Sequence, residues 1–205
     1  MIIRQIIFDM GNVLLNFDMH ALAAAFTENQ EAAHRLYQGL FNCPDWHAMD
    51  RGILSEEGAL SSIQSRLPAH LRDAARQVME RWDEWLVPNE EVNALARELD
   101  GLGFPLYLLS NTSQRFARFR ERIPVWPLLK GALLSFEEKL MKPDPEIYRR
   151  LFARFHLSPG ECFFIDDSSM NIEAAQWCGM QGCHYQGDIL RLRAALRAAG
   201  VPVAP

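Results

Sequence analysis

Ile2-Ile3-Arg4-Gln5-Ile6-Ile7-Phe8 runs straight into Asp9-Met10-Gly11-Asn12. A β-branched run of this length predicts a buried strand, and the four residues after it a turn. Runs of the same kind recur downstream. Pro105-Leu106-Tyr107-Leu108-Leu109 ends at Ser110, and Ala132-Leu133-Leu134-Ser135 follows it. Cys162-Phe163-Phe164-Ile165 ends in Asp166-Asp167, and Cys183-His184-Tyr185 is a short last run. Helical patterns lie between them. Val92, Leu95, Ala96 and Leu99 form one, and another stretch precedes Ala132. Pro143 and Pro145 open a helix from Glu146 to Phe155, Gly179 stops one from Asn171 to Cys178, and a final helix follows Tyr185. Strands alternating with helices predict a doubly wound parallel sheet covered on both faces, an α/β fold.

One stretch breaks the alternation. From about Asn16 to Leu86 the apolar residues fall at three- and four-residue spacing, as in Leu22, Ala25, Phe26 and again in Ala33, Leu36, Tyr37, Leu40. Ser55-Glu56-Glu57 reads as an N-cap with an acidic first turn ahead of Leu60, Ile63 and Leu67. Leu71, Ala75, Val78, Met79, Trp82 and Leu86 make another stripe before Pro88. The expected organisation is therefore an α/β core from 1–15 and 87–205, with a small helical cap inserted at 16–86.

At 205 residues and 49% hydrophobic, the chain can bury a core without covalent staples. A net charge of −5 with no basic stripe argues against nucleic acid as a partner. Two arginine clusters, Arg115-Arg118-Arg120-Arg122 and Arg191-Arg193-Arg197, read as solvated helix faces with acids nearby. Cys43, Cys162, Cys178 and Cys183 lack zinc-type spacing and read as reduced structural thiols. Met1 to Phe8 is too short for a signal sequence, and no apolar stretch reaches the ~18 residues of a membrane span. A cytoplasmic protein with no membrane partner is expected; monomer and homodimer both stay open.

In open α/β sheets, ligands bind at the carboxyl ends of the strands. Here those ends carry Asp9, Ser110-Asn111 and Asp166-Asp167, with Lys142 in the loop after the third strand. Three acids on one rim are electrostatically costly unless a cation neutralises them, and oxygen ligands without His or Cys favour Mg²⁺ over zinc. A carboxylate beside Mg²⁺ can attack phosphorus and split one displacement into two. Lys142 and the metal would neutralise the phosphoryl oxygens, while the Ser110 hydroxyl and a following backbone N–H fix another. Taken singly, Asp9 or Ser110 could equally cap a helix and Lys142 could be a solvated loop lysine. The order and spacing of the set favour chemistry.

Together these segments resemble the haloacid dehalogenase-like hydrolase superfamily. Asp9 with its strand is similar to the nucleophile motif, Leu109-Ser110-Asn111-Thr112 to the second, Lys142-Pro143-Asp144-Pro145 to the third, and Phe164-Ile165-Asp166-Asp167 to the acidic fourth. Within it, Phe8-Asp9-Met10-Gly11-Asn12-Val13 and Phe164-Ile165-Asp166-Asp167-Ser168 look most like the bacterial α-D-glucose-1-phosphate phosphatase group. The resemblance implies a Mg²⁺-dependent phosphatase acting on a small phosphorylated metabolite, with a Rossmann-like core. It makes Asp9 the nucleophile and a metal ligand, and gives the Gly11 carbonyl and Asp167 to the metal, with Asp166 directly or through water. Ser110, Asn111 and Lys142 would hold the phosphate, Lys142 also placing Asp9.

Gly11 departs from the superfamily's phosphatase pattern, which has a second aspartate there as general acid and base. Losing such a group costs typically about 10²–10⁴-fold in rate. An anomeric leaving oxygen, already fairly acidic, suffers least, so a sugar 1-phosphate is compatible with Gly11. Asp18, His20, His47 and Asp50, in or near the cap, are substitutes to weigh against surface or capping roles. Trp46-His47, near an expected loop, reads equally as substrate contact or packing, while Trp82 and Trp85, three apart, read as packing. Two other readings compete. A catalytically silent relative whose cap binds a partner is kept alive by Gly11, and a metal-independent 2-haloacid dehalogenase would leave Asp166-Asp167 without a use. A mutase ranks lower, since it needs the acid and base that Gly11 replaces.

Overall fold

The computed structural model describes residues 2–205; Met1, the first residue of the stretch read above as too short for a signal, lies outside them. In chain order the elements are β1 (Gln5–Phe8), β2 (Leu15–Asn16), α1 (Met19–Ala25), α2 (Gln30–Leu40), α3 (Pro44–Asp50), α4 (Glu56–Arg66), α5 (Arg72–Arg81) and β3 (Val87–Pro88). They continue with α6 (Glu90–Gly101), β4 (Leu106–Ser110), α7 (Phe116–Phe119), β5 (Leu129–Leu134) and α8 (Ser135–Glu138). Last come α9 (Pro145–Phe155), β6 (Cys162–Asp166), α10 (Ser169–Trp177), β7 (Gln181–His184) and α11 (Ile189–Ala198).

Five strands form one sheet in the order β5-β4-β1-β6-β7, every pairing parallel. β1 is central because its side chains are apolar on both faces. Ile6 and Phe8 belong to the apolar cluster that continues into the inserted helices, while Ile7 packs on the opposite face with Leu109, Phe164 and α9. Register then sets the site. Phe8 lies opposite Leu108 on one side and Ile165 on the other, so Asp9 is carried to the same rim as Ser110 and Asp166.

Strand ends differ from the sequence reading where apolar content and pairing part company. β1 begins at Gln5, since Ile2 is 74% exposed, although Ile3 is buried. β5 begins at Leu129, earlier than the apolar run, because Gly131 lets the Phe155 ring lie on it; a Cβ there would stand 2.3 Å from that ring. β7 is shifted back to Gln181–His184. Pro44 at the first turn of α3 puts Trp46-His47 on a helix instead of a loop.

The insertion is held at its ends by a two-residue antiparallel ladder, Leu15 opposite Pro88 and Asn16 opposite Val87. Too short to leave a period-2 signal, it is invisible in the sequence. Ser55 caps α4 as read, accepting from the Gly58 N–H at 3.1 Å. An aromatic chain ties cap to core: Phe41 meets Trp46 edge-on at 4.7 Å, Trp46 meets Trp82 at 5.7 Å, and Trp82 meets Phe119 at 5.4 Å. Trp82 is buried as expected, and Trp85 packs half-buried on Phe26.

Arg115 corrects the reading of its cluster as a solvated face. Its guanidinium is buried between core and cap, 2.5 Å from Glu56 on α4 and 3.0 Å from Asp83 after α5, and it donates to the Glu80 carbonyl at 3.0 Å. Arg118 and Arg120 do stay exposed. No helix among the described residues is long and apolar enough to cross a membrane, and all four cysteines are free thiols.

Candidate active site

Asp9 leaves β1 with its N–H donating to the Ile165 carbonyl of β6 at 2.8 Å, which fixes it beside Asp166. Asp9, Asp166 and Asp167 each offer an oxygen within 4.8 Å of the others. Lys142 reaches this rim from the loop before α9. Its Nζ stands 2.8 Å from Asp9 Oδ1 and 2.7 Å from Asp166 Oδ2, and it donates to the Leu109 carbonyl at 2.9 Å. An ammonium has three donors, and all three are used.

Burial raises the Asp9 carboxyl to about 7, Lys142 opposing the shift while Asp166 and Asp167 add to it. Asp167 is raised by burial as well, against the Asn12 hydrogen bond that favours its charged form. Burial alone would push Lys142 down, but Asp166 and Asp9 outweigh it, and its pKa is raised. One ammonium against three carboxylates leaves two negative charges unbalanced. Oxygen-only donors with that deficit fit a hard divalent cation.

The three acids are not equivalent. Asp9 Oδ1 receives the Met10 N–H at 2.7 Å as well as Lys142, while Oδ2 has no hydrogen-bond partner among the described residues. Both Asp166 oxygens are occupied: the Ser168 N–H and Asn171 Nδ2 reach Oδ1 at 2.8 and 2.9 Å, and Lys142 and Asn171 Nδ2 reach Oδ2 at 2.7 and 3.1 Å. Asp166 therefore braces Lys142, and it stays within the acidic cluster that could hold a cation. Asp167 Oδ2 accepts from Asn12 Nδ2 at 3.0 Å, and Asp167 lines the cavity. At Gly11 a Cβ would meet nothing within 4 Å.

Ser110 ends β4 fully buried, its hydroxyl making one long 3.4 Å contact with the Asn111 carbonyl. Asn111 uses its amide elsewhere than expected. Oδ1 accepts from the Lys142 N–H and Nδ2 donates to the Lys142 carbonyl, both at 2.9 Å. It holds the lysine in place, and with one Nδ2 hydrogen uncommitted among the described residues it also lines the cavity.

A cavity of about 250 Å³ opens over the rim, with Asp9, Lys142 and Asp167 on one wall and Phe41, Trp46, His47 and Asp50 of the insertion on the other. Trp46 is buried in the aromatic chain, as the packing reading has it, and it also lines the cavity. Of the four substitutes for an acid at position 11, Asp18 caps α1 through the Ala21 N–H and His20 stacks on Tyr37 at 3.7 Å. His47 and Asp50 face the site, and burial raises the Asp50 carboxyl to about 7.

Asn12 and Asn171 were missed by the sequence reading. Asn12 follows Gly11 with φ 53°, a conformation asparagine tolerates, and that turn was the available signal. Asn171 had none, since its value lies in reaching back from the first turn of α10 to the end of β6 at Asp166.

A parallel sheet whose acidic rim is roofed by a helical insertion after the first strand defines a class of capped α/β hydrolases. Residues 3–179 match the haloacid dehalogenase-like hydrolase family, and the chain belongs to it. It is 30% identical over 198 residues, 87% of this chain and 90% of the other, to D-ribitol-5-phosphate phosphatase of Bacteroides thetaiotaomicron. It is 28% identical over 187 residues, 91% of each chain, to sesquiterpene phosphatase astK of Aspergillus oryzae. Its fold matches a haloacid dehalogenase-family enzyme of Bacteroides thetaiotaomicron, solved with magnesium and inorganic phosphate, at TM-score 0.67 and 24% identity over 91% of this chain and 96% of that one.

Proposed function

We propose that this protein is a Mg²⁺-dependent phosphatase that hydrolyses a small phosphorylated metabolite, a sugar phosphate such as glucose 1-phosphate, through an aspartyl-phosphate on Asp9. The observation that carries this reading is the unpartnered Oδ2 of Asp9, held at the cavity wall by Lys142 and the Met10 N–H on Oδ1. Residues 16–86 act as the cap and the remainder as the catalytic core. Four free thiols suit the reducing cytoplasm.

Asp9, Asp167 and the Gly11 carbonyl would hold Mg²⁺, which when bound supplies the two positive charges that the rim lacks and screens the phosphoryl oxygens. Lys142 neutralises a further phosphoryl oxygen, and the Ser110 hydroxyl and Asn111 N–H orient another. Asp9 Oδ2 bonds to phosphorus as the bond to the leaving oxygen breaks, and that oxygen takes up a proton. Water then attacks the phosphorus, releasing phosphate and restoring the Asp9 carboxylate. Phe41 and Trp46 exclude bulk water while the acyl phosphate exists.

A 250 Å³ cavity lies below the ~300–1,000 Å³ typical of drug-sized ligands, which favours a small metabolite. The activities of two relatives support the same class: D-ribitol 5-phosphate is a sugar-alcohol phosphate, and another relative, from Thermotoga maritima, is a phosphorylated carbohydrates phosphatase. Empty space at Gly11 favours a leaving oxygen that is already acidic, as at an anomeric carbon.

The test is phosphate release from glucose 1-phosphate, sugar 6-phosphates and nucleotides, with Mg²⁺ or EDTA, beside Asp9→Asn. Metal-dependent release that is strongest for the anomeric phosphate and absent in Asp9→Asn is expected. No release by a folded, Mg²⁺-binding protein would favour a silent binding relative, and halide release from 2-haloacids in EDTA a dehalogenase.

A further inference from the structure

Position 11 has no side chain, so nothing there can pass a proton to a leaving oxygen beside Asp9. The same cavity does carry a further carboxyl group on its lining. Asp50 is the last residue of α3 and lines the cavity across from Asp9 and Lys142. Its turn is seated on the core at three points. Ser135 Oγ, at the start of α8, donates to the Asp50 carbonyl at 2.6 Å while accepting the Thr112 N–H at 2.8 Å. Lys139 Nζ donates to the Gly52 carbonyl at 2.5 Å. Gly52, at φ 71°, lies so close to Phe136 that a Cβ would stand 2.3 Å from its carbonyl oxygen. Contacts of this kind fix the turn against α8, so Asp50 has a set place on the cavity wall.

We propose that Asp50 is the general acid and base of the reaction, a cap residue giving the proton for which position 11 has no side chain. The inference rests on the reading that Asp9 takes the phosphoryl group. As Asp9 Oδ2 bonds to phosphorus and the ester P–O bond breaks, the Asp50 proton moves to the leaving oxygen. The resulting carboxylate then takes a proton from the attacking water as the bond between phosphorus and Asp9 breaks, which restores the acid.

Chemistry of this kind needs a group that gives and takes a proton near neutrality. Burial puts Asp50 there, against the Trp46 indole N–H that favours its charged form. Asp9, Asp167 and Lys142 face it across the cavity, His47 stands on its own helix, and Lys139 lies behind Gly52.

The experiment compares wild type with Asp50→Asn and Asp50→Glu, as full chains with Mg²⁺, on p-nitrophenyl phosphate, phenyl phosphate and glucose 1-phosphate. Because kcat/KM reports the first transfer, it isolates proton donation to the leaving group. Asp50→Asn should lower kcat/KM about 10²-fold or more on phenyl phosphate and glucose 1-phosphate, and less than about tenfold on p-nitrophenyl phosphate, whose leaving group needs no acid. The wild-type fall in kcat/KM above pH about 7 on the two poorer leaving groups should vanish in Asp50→Asn, and Asp50→Glu should recover part of the rate. The Mg²⁺-induced rise in Tm should be unchanged, which shows an intact core. An equal loss on all three substrates would make Asp50 a mere support of the cap, and no loss would place the acid elsewhere; either overturns the proposal. Wild-type protein that releases phosphate from none of the three would overturn the phosphatase reading itself.

Discussion

The Lys142 ammonium and the Asp166 carboxylate form an ion pair of 2.7 Å with side-chain exposures of 1% and 0%. A charge sealed this far from water is tolerable only with its partner. Lys142→Met should therefore lower stability by about 3–5 kcal/mol in urea unfolding, because it strands Asp166 and Asp9 without their cation. Lys142→Met with Asp166→Asn should lose less than the two single losses combined. Additive losses would mean the two groups are not coupled.

Asn12 is the hydrogen-bond partner of Asp167 Oδ2, and it reaches 155 residues along the chain to make that contact. Partners that orient a metal-binding carboxylate are typically worth about 10–100-fold in metal affinity. Asn12→Ala should weaken Mg²⁺ binding by that factor in calorimetric titration without substrate, and Asp167→Ala by more. Unchanged affinity in Asp167→Ala would remove it from the ligand set.

How far this was legible in the sequence depends on the range of the interaction. Asp9, Ser110, Asp166 and Asp167 follow apolar runs directly, so register along a parallel sheet brings them together without further information. The bracing of Asp166 by Asn171 and of Lys142 by Asn111 depends on side-chain direction after a turn, which spacing does not encode. Arg115 misled for a related reason. Its neighbours Arg118 and Arg120 are solvated, and the approach of Glu56 and Asp83, 59 and 32 residues away, makes it a buried tie.

That tie can be measured. Arg115 is 7% exposed and Asp83 5%, so Arg115→Met leaves the buried Asp83 carboxylate with only the longer 3.9 Å contact to Arg118 among the described residues and cuts a link between cap and core. A loss of about 3–5 kcal/mol is expected. Arg118→Ala, three residues on, exposed and at 3.9 Å from Asp83, should change stability by no more than about 1 kcal/mol. Equal effects in the two variants would mean that the Arg115 pairs contribute nothing beyond surface charge.

In the proposed site, protons and Mg²⁺ compete for Asp9. Its carboxyl titrates near 7 in the metal-free fold, against 3.8 for the free side chain, so the folded state holds a proton that the unfolded state releases. Stability rises with pH only where the unfolded state binds more protons, and here the folded state binds more. The metal-free protein should therefore lose stability as pH rises from about 4 to about 7, with Asp50 acting in the same direction. Mg²⁺ must displace the Asp9 proton below that point, so its apparent affinity should fall by up to about tenfold for each pH unit below 7. Thermal melts with and without saturating Mg²⁺ should accordingly show a larger metal-induced rise in Tm at pH 8 than at pH 5.5. In Asp9→Asn, which has no proton to displace, the rise should be smaller and the contribution of residue 9 to its pH dependence should disappear. An equal rise at both pH values in the wild type would mean that Mg²⁺ binds without Asp9, and the oxygen assigned to the cation there would have to come from another group.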